Sequence, residues 1–218
     1  MARRRLRYEV PEAIARQLKR RRRARRSIFF TLLLLALTTF LDRFGVFRYR
    51  GDDWANFDRQ TFVVTRVVDG DTVRIRRSLR ADEEVIRLLG VDAPEISHDA
   101  GKADDYWGRE ATNRLEERIG GKSVTVRLDA TQTRDRYARL LAYLHLDDAE
   151  NVNESLVRDG YAYAYRPYPH SLRRQFEQAE DESRGKGRGL WAEVNESQMP
   201  GWRQRWLSER RDAGGRKR

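Results

Sequence analysis

The sequence predicts a domain built from five β-strands and three α-helices. Two observations lead to this prediction. Five short runs rich in β-branched and other apolar residues lie between residues 61 and 146, and three segments with helical periodicity or helix-capping residues accompany them. One helix follows the third strand and two follow the fifth. No internal repeat is visible, and 218 residues suffice for one domain with a substantial core and tails.

The first two strands are predicted on either side of a tight turn. The runs TFVVTRVV (61–68) and DTVRIRR (71–77) flank the dipeptide Asp69-Gly70. Asp-Gly between apolar runs is a strong hairpin signal, because Gly accepts the positive φ that tight turns require. The motif VVDGDTV leaves a second interpretation open, in which one of the carboxylates beside the glycine holds a metal ion.

The third strand and the first helix come next along the chain. EEVIRLLGV (83–91) is predicted to be a strand that Gly90 interrupts. Residues 104–121 are predicted to form a helix that ends at the glycine pair 120–121. The apolar face of this helix consists of Trp107, Ala111, Leu115 and Ile119.

Two further strands and two capped helices complete the domain, which we place at residues 60–195. The strands are KSVTVRL (122–128) and RLLAYLHL (139–146). Asn153 and Ser171 are predicted to be N-caps, because Asn and Ser side chains accept hydrogen bonds from the first turn of a helix. The two predicted helices cover residues 153–160 and 171–187.

The net charge of +11 is concentrated at the two ends of the chain. Residues 1–26 contribute +10 and residues 201–218 contribute +5, which leaves −4 for residues 27–200. The central domain therefore lacks the basic field that dominates general DNA affinity. A phosphate substrate would have to be bound there by a few individual arginines.

The chain contains no Cys, which excludes disulfides and thiolate metal sites. Its three histidines, His98, His145 and His170, show no paired spacing. Zinc chemistry and a Ser-His-Asp triad are therefore poorly supported. Any metal ion should be a hard cation that carboxylates and carbonyl oxygens bind.

A basic segment, residues 1–26, precedes an uncharged apolar run, residues 27–41. Fifteen helical residues span only about 22 Å, so crossing a hydrocarbon core of roughly 30 Å requires extension to Phe47. The pattern favours an uncleaved signal anchor over 27–47, because no small-x-small cleavage site follows; a cleaved signal peptide is the alternative. The positive-inside rule places residues 1–26 in the cytoplasm and the remainder outside it.

Two polar segments flank the predicted domain. Residues 48–59 are polar and turn-rich and are interpreted as a linker. Residues 196–218 form a basic tail that carries Trp202 and Trp206. We expect the tail from residue 201 onward to be solvated and disordered.

The motif RLLGVDAPE (87–95) contains Arg87, Asp92 and Glu95. Pro94 fixes its own φ and favours an extended residue before it, so this turn is rigid and can hold carboxylates close together. The other interpretation is an exposed acidic turn. In an uninterrupted strand Arg87 and Asp92 would lie on opposite faces, and a bend at Gly90 would bring them together.

The segment TRDRYARLLAYL places Arg136, Tyr137 and Arg139 just before the fifth strand. Taken alone, these residues are interpreted as part of an ordinary surface loop.

These three stretches, with three further segments, resemble motifs of the staphylococcal nuclease (thermonuclease) family. They occur in the same order as in the family and cover residues 61 to about 191. The further segments are YWGREA, VNESLVRDGYA and the closing GKGRGLW. The resemblance implies an OB-fold, a five-stranded Greek-key β-barrel with three helices, here preceded by an N-terminal hydrophobic helix. This agrees with the strands and helices predicted from the sequence.

The resemblance also implies a Ca²⁺ site and catalytic roles. Asp71, Asp92 and the main-chain carbonyl of Ala93 correspond to the metal ligands, although the family more often has Thr at the last position. Glu95 corresponds to the residue that holds or activates the attacking water. The phosphate-binding pair corresponds to Arg87 and Arg139.

Four further residues correspond to nucleotide contacts in the family. Arg136 and Tyr137 match a Lys and a Tyr, with Arg in place of Lys. Tyr165 and Tyr168 fall where the family has stacking tyrosines, in a stretch that is shorter here.

The resemblance predicts a Ca²⁺-dependent, monomeric nuclease that cleaves DNA, RNA or both and releases 3′-phosphorylated products. The alternative from another class is a catalytically inactive nucleic-acid-binding barrel tethered to a membrane. Relatives of that kind lack parts of the carboxylate and arginine set, whereas all five residues are present here: Asp71, Arg87, Asp92, Glu95 and Arg139. The predicted location is membrane-anchored with the domain outside the cytoplasm, or secreted if the leader is cleaved.

Overall fold

The structure is a computed structural model of the chain, which divides into two compact units, residues 1–51 and 52–218. The residues it describes are 30–32, 34, 53–97, 101, 103–147 and 149–215. In the first unit, residues 30–32 and 34 are helical, and the rest of the predicted basic and apolar segments lies outside the described residues. No helix within the described ranges combines the length and apolar character needed to cross a bilayer.

The second unit contains eight strands and five helices within the part of the chain that the structure describes. The strands are β1 Thr61–Asp69, β2 Thr72–Arg76, β3 Glu84–Leu88, β4 Val91–Asp92, β5 Ser123–Leu128, β6 Leu140–Leu146, β7 Glu150–Asn151 and β8 Tyr163–Ala164. The helices are α1 Asp53–Phe57, α2 Gly108–Ile119, α3 Val152–Arg158, α4 Arg173–Gly185 and α5 Gly201–Gly215. Two short 3₁₀ turns, Gly189–Ala192 and Glu196–Gln198, lie between α4 and α5.

Five strands close into a barrel in the order β3-β2-β1-β5-β6, with β3 returning to β6. The closing pair is parallel, with Arg87 opposite Leu141, and the other four pairs are antiparallel. Closure leaves no free edge among these strands. The predicted five-stranded OB-type barrel is therefore confirmed. A separate two-stranded sheet pairs β4 with β8 and places Asp92 opposite Tyr163.

Alternating apolar residues fill the barrel, as the period of two in its strands requires. Val73 and Ile75 in β2 are fully buried, and the intervening arginine is not. Helix α2 covers the barrel with a face that includes Leu115 and Ile119, both fully buried. Burying a Leu or Ile side chain stabilises the folded state by about 1.5–3 kcal/mol. Trp107, predicted to lie on this face, instead precedes the helix with φ of 72°.

The predicted cap of α3 was wrong by two residues. Asn151 is the N-cap, and its side chain accepts a hydrogen bond from the Glu154 N–H. Asn153 is buried inside the helix, where its amide contacts the backbone of β6 and the β3–β4 connection. Its Oδ1 accepts from the Leu144 N–H, and its Nδ2 donates to the carbonyls of Leu89 and Ala142, at 3.0 Å each. Tertiary contacts therefore determine its role.

The predicted cap of α4 was also wrong. The helix begins at Arg173, and its N-cap residue, Leu172, makes no side-chain cap. The Ser171 hydroxyl donates instead to the Asp129 carboxylate, whose Oδ2 also accepts from the Ser171 N–H at 2.8 Å. The Ser171 side chain is therefore directed to a buried carboxylate, and its oxygen does not accept a hydrogen bond from the first turn of α4.

Both flanking segments contain structure that the sequence analysis did not anticipate. Helix α1 lies within the predicted linker, and its first residue, Asp53, pairs with Arg134 at 2.8 Å. The tail that we expected to be disordered forms α5. Arg203, in α5, is 1% exposed, so this helix packs against the domain rather than lying in solvent.

Candidate active site

A bend at Gly90 brings Arg87 and Asp92 to the same place. Gly90 has φ of +80°, a region that disfavours residues with a Cβ. A Cβ at this position would lie 2.5 Å from Cε1 of His170, so the close packing also requires glycine. The bend ends β3 and starts β4, and the Arg87 Nη2 donates to Asp92 Oδ1 at 3.0 Å. The predicted bend is present.

The turn between β1 and β2 presents Asp71 to the same point. Asp69 Oδ1 accepts the Asp71 N–H at 3.0 Å, which stabilises the turn and agrees with a structural role for Asp69. Asp71 Oδ2 accepts the backbone N–H of Ala93 at 2.9 Å, and its Oδ1 accepts the Thr72 hydroxyl at 3.1 Å. These bonds hold the Asp71 side chain, which is almost fully buried, in one orientation.

Arg87 lies between the two carboxylates. Its Nη1 is 2.6 Å from Asp71 Oδ2 and donates to the Val91 carbonyl at 3.1 Å, while its Nη2 contacts Asp92. The two carboxylates therefore reach a single guanidinium from different parts of the fold: Asp92 lies in β4, and Asp71 lies at the end of the β1–β2 turn. Charge-assisted bonds of this kind are short and about twice as strong as neutral ones.

Burial shifts the titration of all three groups. It raises the pKa of Asp71 well above the usual value, and Arg87 only partly opposes this. Burial also raises the pKa of Asp92, against the opposing influence of Arg87 and of a hydrogen bond from Trp202. For Arg87, burial alone would lower the pKa, but Asp71 and Asp92 outweigh it and raise the pKa. Two buried acids beside a permanent cation would gain stability from a further positive charge.

Glu95 follows this cluster on the rigid turn before α2. The Asp105 N–H donates to the Glu95 carbonyl at 2.9 Å, and Asp105 Oδ2 accepts the Glu95 N–H at 3.3 Å. Glu95 is exposed as a residue, but partial desolvation of its carboxyl group raises its pKa, and the charge of Asp69 raises it further. A carboxyl group with a raised pKa is better suited to general-base chemistry near neutral pH.

A cavity of about 520 Å³ adjoins Arg87. Six of the residues that the sequence singled out line it: Arg87, Arg136, Tyr137, Arg139, Tyr165 and Tyr168. Its size suits a small ligand, and its basic and aromatic lining suits an anion attached to a ring. Asp71, Asp92, Ala93 and Glu95 do not line the cavity, so Arg87 is the link between the carboxylate cluster and this space.

The loop before β6 contributes the second arginine. Asp135 accepts the Arg139 Nε–H at 2.7 Å and the Arg139 and Tyr137 backbone N–H groups at 3.0 and 2.9 Å. Arg136 donates to the Tyr137 hydroxyl at 2.6 Å and lies over its ring. Within the described residues, Arg139 forms an ion pair with Asp135 and none with the carboxylate cluster. Arg87 on β3 and Arg139 on the loop before β6 therefore line the cavity from different elements.

Tyr165 and Tyr168 lie together at the cavity. The ring centroids of Tyr165 and Tyr168 are 5.7 Å apart, and Tyr168 is exposed. The Tyr165 N–H donates to the Gly90 carbonyl at 2.9 Å, which fixes Tyr165 beside the bend. Their position is consistent with stacking on a ligand ring.

Sequence reasoning missed two residues that contact this site. Asp135 orients Arg139, and the turn-forming Asp in the segment TRDRYAR could have indicated it. Trp202 donates from Nε1 to Asp92 Oδ2 at 2.7 Å. Two tryptophans four apart after Pro200 are compatible with one helix face, but nothing in the sequence identifies the partner.

The cluster can hold a hard cation. Asp71, Asp92 and the Ala93 carbonyl are all oxygen donors, as Ca²⁺ prefers. Both carboxylates contact Arg87, so their oxygens lie close together, as the ligands of one metal ion must. In the part of the chain that the structure describes, no group of three or more His, Asp or Glu side chains could hold a metal, so a bound cation would need carbonyl and water ligands as well.

The chain is similar to a known protein family and to individual nucleases. Residues 85–193 match the family described as "Staphylococcal nuclease homologue". An uncharacterised endonuclease of Escherichia coli O157:H7 is 37% identical over 139 residues, covering 64% of this chain and 80% of the relative. Thermonuclease of Staphylococcus hyicus is 30% identical over 167 residues, covering 76% of this chain and 94% of the relative. The chain therefore belongs to the staphylococcal nuclease homologue family and is a nuclease, that is, a hydrolase.

Proposed function

We propose that this nuclease is a Ca²⁺-dependent phosphodiesterase that cleaves DNA, RNA or both and leaves 3′-phosphorylated products. The observation that carries the proposal is the position of Arg87. It contacts Asp71 and Asp92 on one side and lines a cavity with Arg139 on the other. A cation site and a phosphate site would therefore share one guanidinium.

Asp71, Asp92 and the Ala93 carbonyl would bind Ca²⁺. The bound ion would neutralise phosphodiester charge and act as a Lewis acid. Burial of Asp71 and Asp92 supports this role, because it raises their pKa values by disfavouring the charged carboxylates, and a bound cation would offset that cost.

Arg87 and Arg139 would bind the phosphate that is attacked. A guanidinium can donate two parallel hydrogen bonds to a phosphate and can follow the extra charge of the transition state. Asp135 orients Arg139 for this purpose, since it accepts both the Nε–H and the backbone N–H of that residue.

Glu95 would accept the proton of the attacking water. Its position after the rigid Asp92–Pro94 turn places it next to the cluster, and its raised pKa makes it a stronger base than an ordinary Glu. The nucleotide would lie in the cavity against Arg136, Tyr137, Tyr165 and Tyr168. Aromatic rings stack on any base, so this site favours single strands without strong sequence preference.

A Ca²⁺ titration of single-stranded DNA cleavage by the full chain tests the proposal. Cleavage should appear with Ca²⁺ and stop on chelation. Arg139→Ala should reduce kcat by about 10²–10³, the loss typical of removing one donor to a developing charge. Asp92→Asn should require far more Ca²⁺. Arg174→Ala, an exposed arginine on α4, should behave as wild type.

The products supply a second measurement. A 3′-phosphate blocks extension by terminal transferase until a phosphatase removes it, so extension should depend on phosphatase treatment. Cleavage that is insensitive to chelation, or wild-type rates for both Asp92→Asn and Arg139→Ala, would contradict the proposal.

A further inference from the structure

Helix α5 is firmly attached to the domain through one buried ion pair. Arg203 Nη1 donates to Glu180 Oε1 at 2.7 Å, and the two side chains are 1% and 0% exposed. The same Glu180 oxygen accepts the Ala164 N–H at 2.9 Å, and its Oε2 contacts Arg166 at 3.0 Å. One carboxylate thus connects α5, α4 and strand β8.

Aromatic rings surround the Arg203 guanidinium. Its Cζ lies 4.8 Å from the ring centre of Trp191, 5.2 Å from Tyr163 and 5.7 Å from Trp206. Such cation–π contacts are strongest when the cation is desolvated, as the buried Arg203 guanidinium is. Tyr163 is the strand partner of Asp92, so the attachment of α5 is continuous with the strand that carries this carboxylate.

This attachment delivers the neighbouring Trp202 to the active site. Trp202 Nε1 is 2.7 Å from Asp92 Oδ2, a distance typical of a strong hydrogen bond. Its ring meets the Tyr165 ring edge-on, with centroids 5.4 Å apart. Asp92 therefore has Oδ1 bound to Arg87 and Oδ2 bound to Trp202, and both bonds orient it.

We infer that Trp202 is a positioning residue for the metal-binding carboxylate of Asp92, and that α5 is part of the active site. The inference rests on the proposed Ca²⁺ site. Each carboxylate oxygen can accept more than one interaction, so Oδ2 can keep the indole bond and still bind a cation. An indole donates only, so it orients the carboxylate without competing for the metal ion.

The test compares Trp202→Phe with Trp206→Phe in the full chain. Trp202→Phe keeps an aromatic ring against Tyr165 and removes the N–H donor. Trp206→Phe makes the same chemical change one helical turn away and keeps an aromatic ring there, where the side chain contacts Arg166, Arg203 and Arg210 rather than Asp92. Ca²⁺ binding is measured by isothermal titration calorimetry without substrate, and folding is checked by thermal unfolding.

We expect Trp202→Phe to weaken Ca²⁺ binding about 10- to 100-fold, the usual cost of losing a hydrogen-bond partner of a metal ligand. Excess Ca²⁺ should restore much of its cleavage rate. Trp206→Phe should bind Ca²⁺ as wild type does. If the wild type binds Ca²⁺ and Trp202→Phe binds it equally well or more tightly, the positioning role of Trp202 is overturned. The proposed metal site is not affected by that result.

Failure of the underlying site gives a different result. If the wild-type chain bound no Ca²⁺, or if Asp92→Asn bound it equally well, the proposed metal site and the role of Trp202 would both be overturned. A weaker affinity for both tryptophan variants would also overturn the inference, because it would indicate general loosening of α5.

Discussion

Arg87 lies between the carboxylate cluster and the cavity in which we propose that the phosphate binds. Its Nη1 and Nη2 contact Asp71 and Asp92, and its side chain also borders the cavity. A guanidinium can do this because its five N–H donors are arranged in a rigid plane. A Lys at this position would supply one point charge, and it could not bridge both carboxylates and a phosphate in the same way.

Replacing Glu95 with Gln tests the general base. We expect kcat to fall by about 10²–10⁴, because Gln cannot accept the proton. In the wild type, desolvation and Asp69 raise the pKa of Glu95, so activity should decline on acidification at a higher pH than for an ordinary Glu. The measurement is kcat/KM against pH at saturating Ca²⁺.

Glu117→Gln, an exposed change on α2, is the matched control and should keep the wild-type profile. A Glu95→Gln enzyme with wild-type kcat would show that another group takes the proton.

The active-site residues differ in how far the sequence could predict them. The grouping of Asp71, Arg87 and Asp92 in one site could be predicted, because a bend at Gly90 explains the contact between Arg87 and Asp92 and the family resemblance adds Asp71. Trp202 could not, because 110 residues separate it from Asp92 and only the packing of α5 joins them.

At the scale of elements, strand patterns were more informative than helix boundaries. All five barrel strands were predicted, because β-branched alternation follows directly from burial. The predicted N-caps were wrong because Asn and Ser side chains can form hydrogen bonds with other partners. Asn153 bonds to strands and Ser171 to Asp129, and a local sequence contains no information on either contact.

Asp129, just after β5, connects three elements, and Asp129→Asn tests its importance. Its Oδ2 accepts from the Tyr143 hydroxyl at 3.1 Å and from Ser171, and its Oδ1 accepts from the Thr131 N–H at 3.0 Å. Burial alone would raise its pKa, but these hydrogen bonds outweigh it and lower the pKa well below the usual range. In Asp129→Asn, the side-chain NH₂ group would replace one carboxylate oxygen and would face groups that also donate hydrogen bonds.

We expect Asp129→Asn to lower the free energy of unfolding at neutral pH by about 1.5–3 kcal/mol, from chemical denaturation. The depressed pKa means that the carboxylate stabilises the fold above the usual Asp pKa and loses this effect as pH falls through the folded value. The difference in unfolding free energy between Asp129→Asn and the wild type should therefore become smaller in strong acid. Asp181→Asn, on the exposed side of α4, should change stability by less than about 0.5 kcal/mol. An equal loss at all pH values would contradict the ionic role of Asp129.

At the scale of the whole molecule, charge and catalysis are separated along the sequence. The ends contribute +10 and +5, whereas residues 27–200 carry −4. Phosphate binding at the proposed site would therefore depend on individual arginines, and the basic first segment is available for another role. Helix α5 qualifies this division, because part of the basic tail packs on the domain and reaches Asp92.

We propose that residues 27–47 anchor the chain in a membrane with the nuclease domain outside the cytoplasm. The support is the uncharged run after twelve basic residues. In fractionated bacterial cells, the full chain should remain with membranes after a high-salt wash, which removes binding that is only electrostatic. Protease added to spheroplasts should digest the nuclease domain.

The matched variant Leu33→Arg/Leu35→Arg places two charges in the apolar run. Each costs about 2.5–3.5 kcal/mol at the centre of a membrane helix, so insertion should fail and the domain should become protease-resistant inside spheroplasts. The anchor would be contradicted if the full-size wild-type chain were released by the salt wash. It would also be contradicted if the nuclease domain of the wild-type chain lay in the cytoplasm. A shorter soluble chain outside the cytoplasm, lacking the apolar run, would instead identify the segment as a cleaved leader, because the same basic and apolar pattern directs both outcomes.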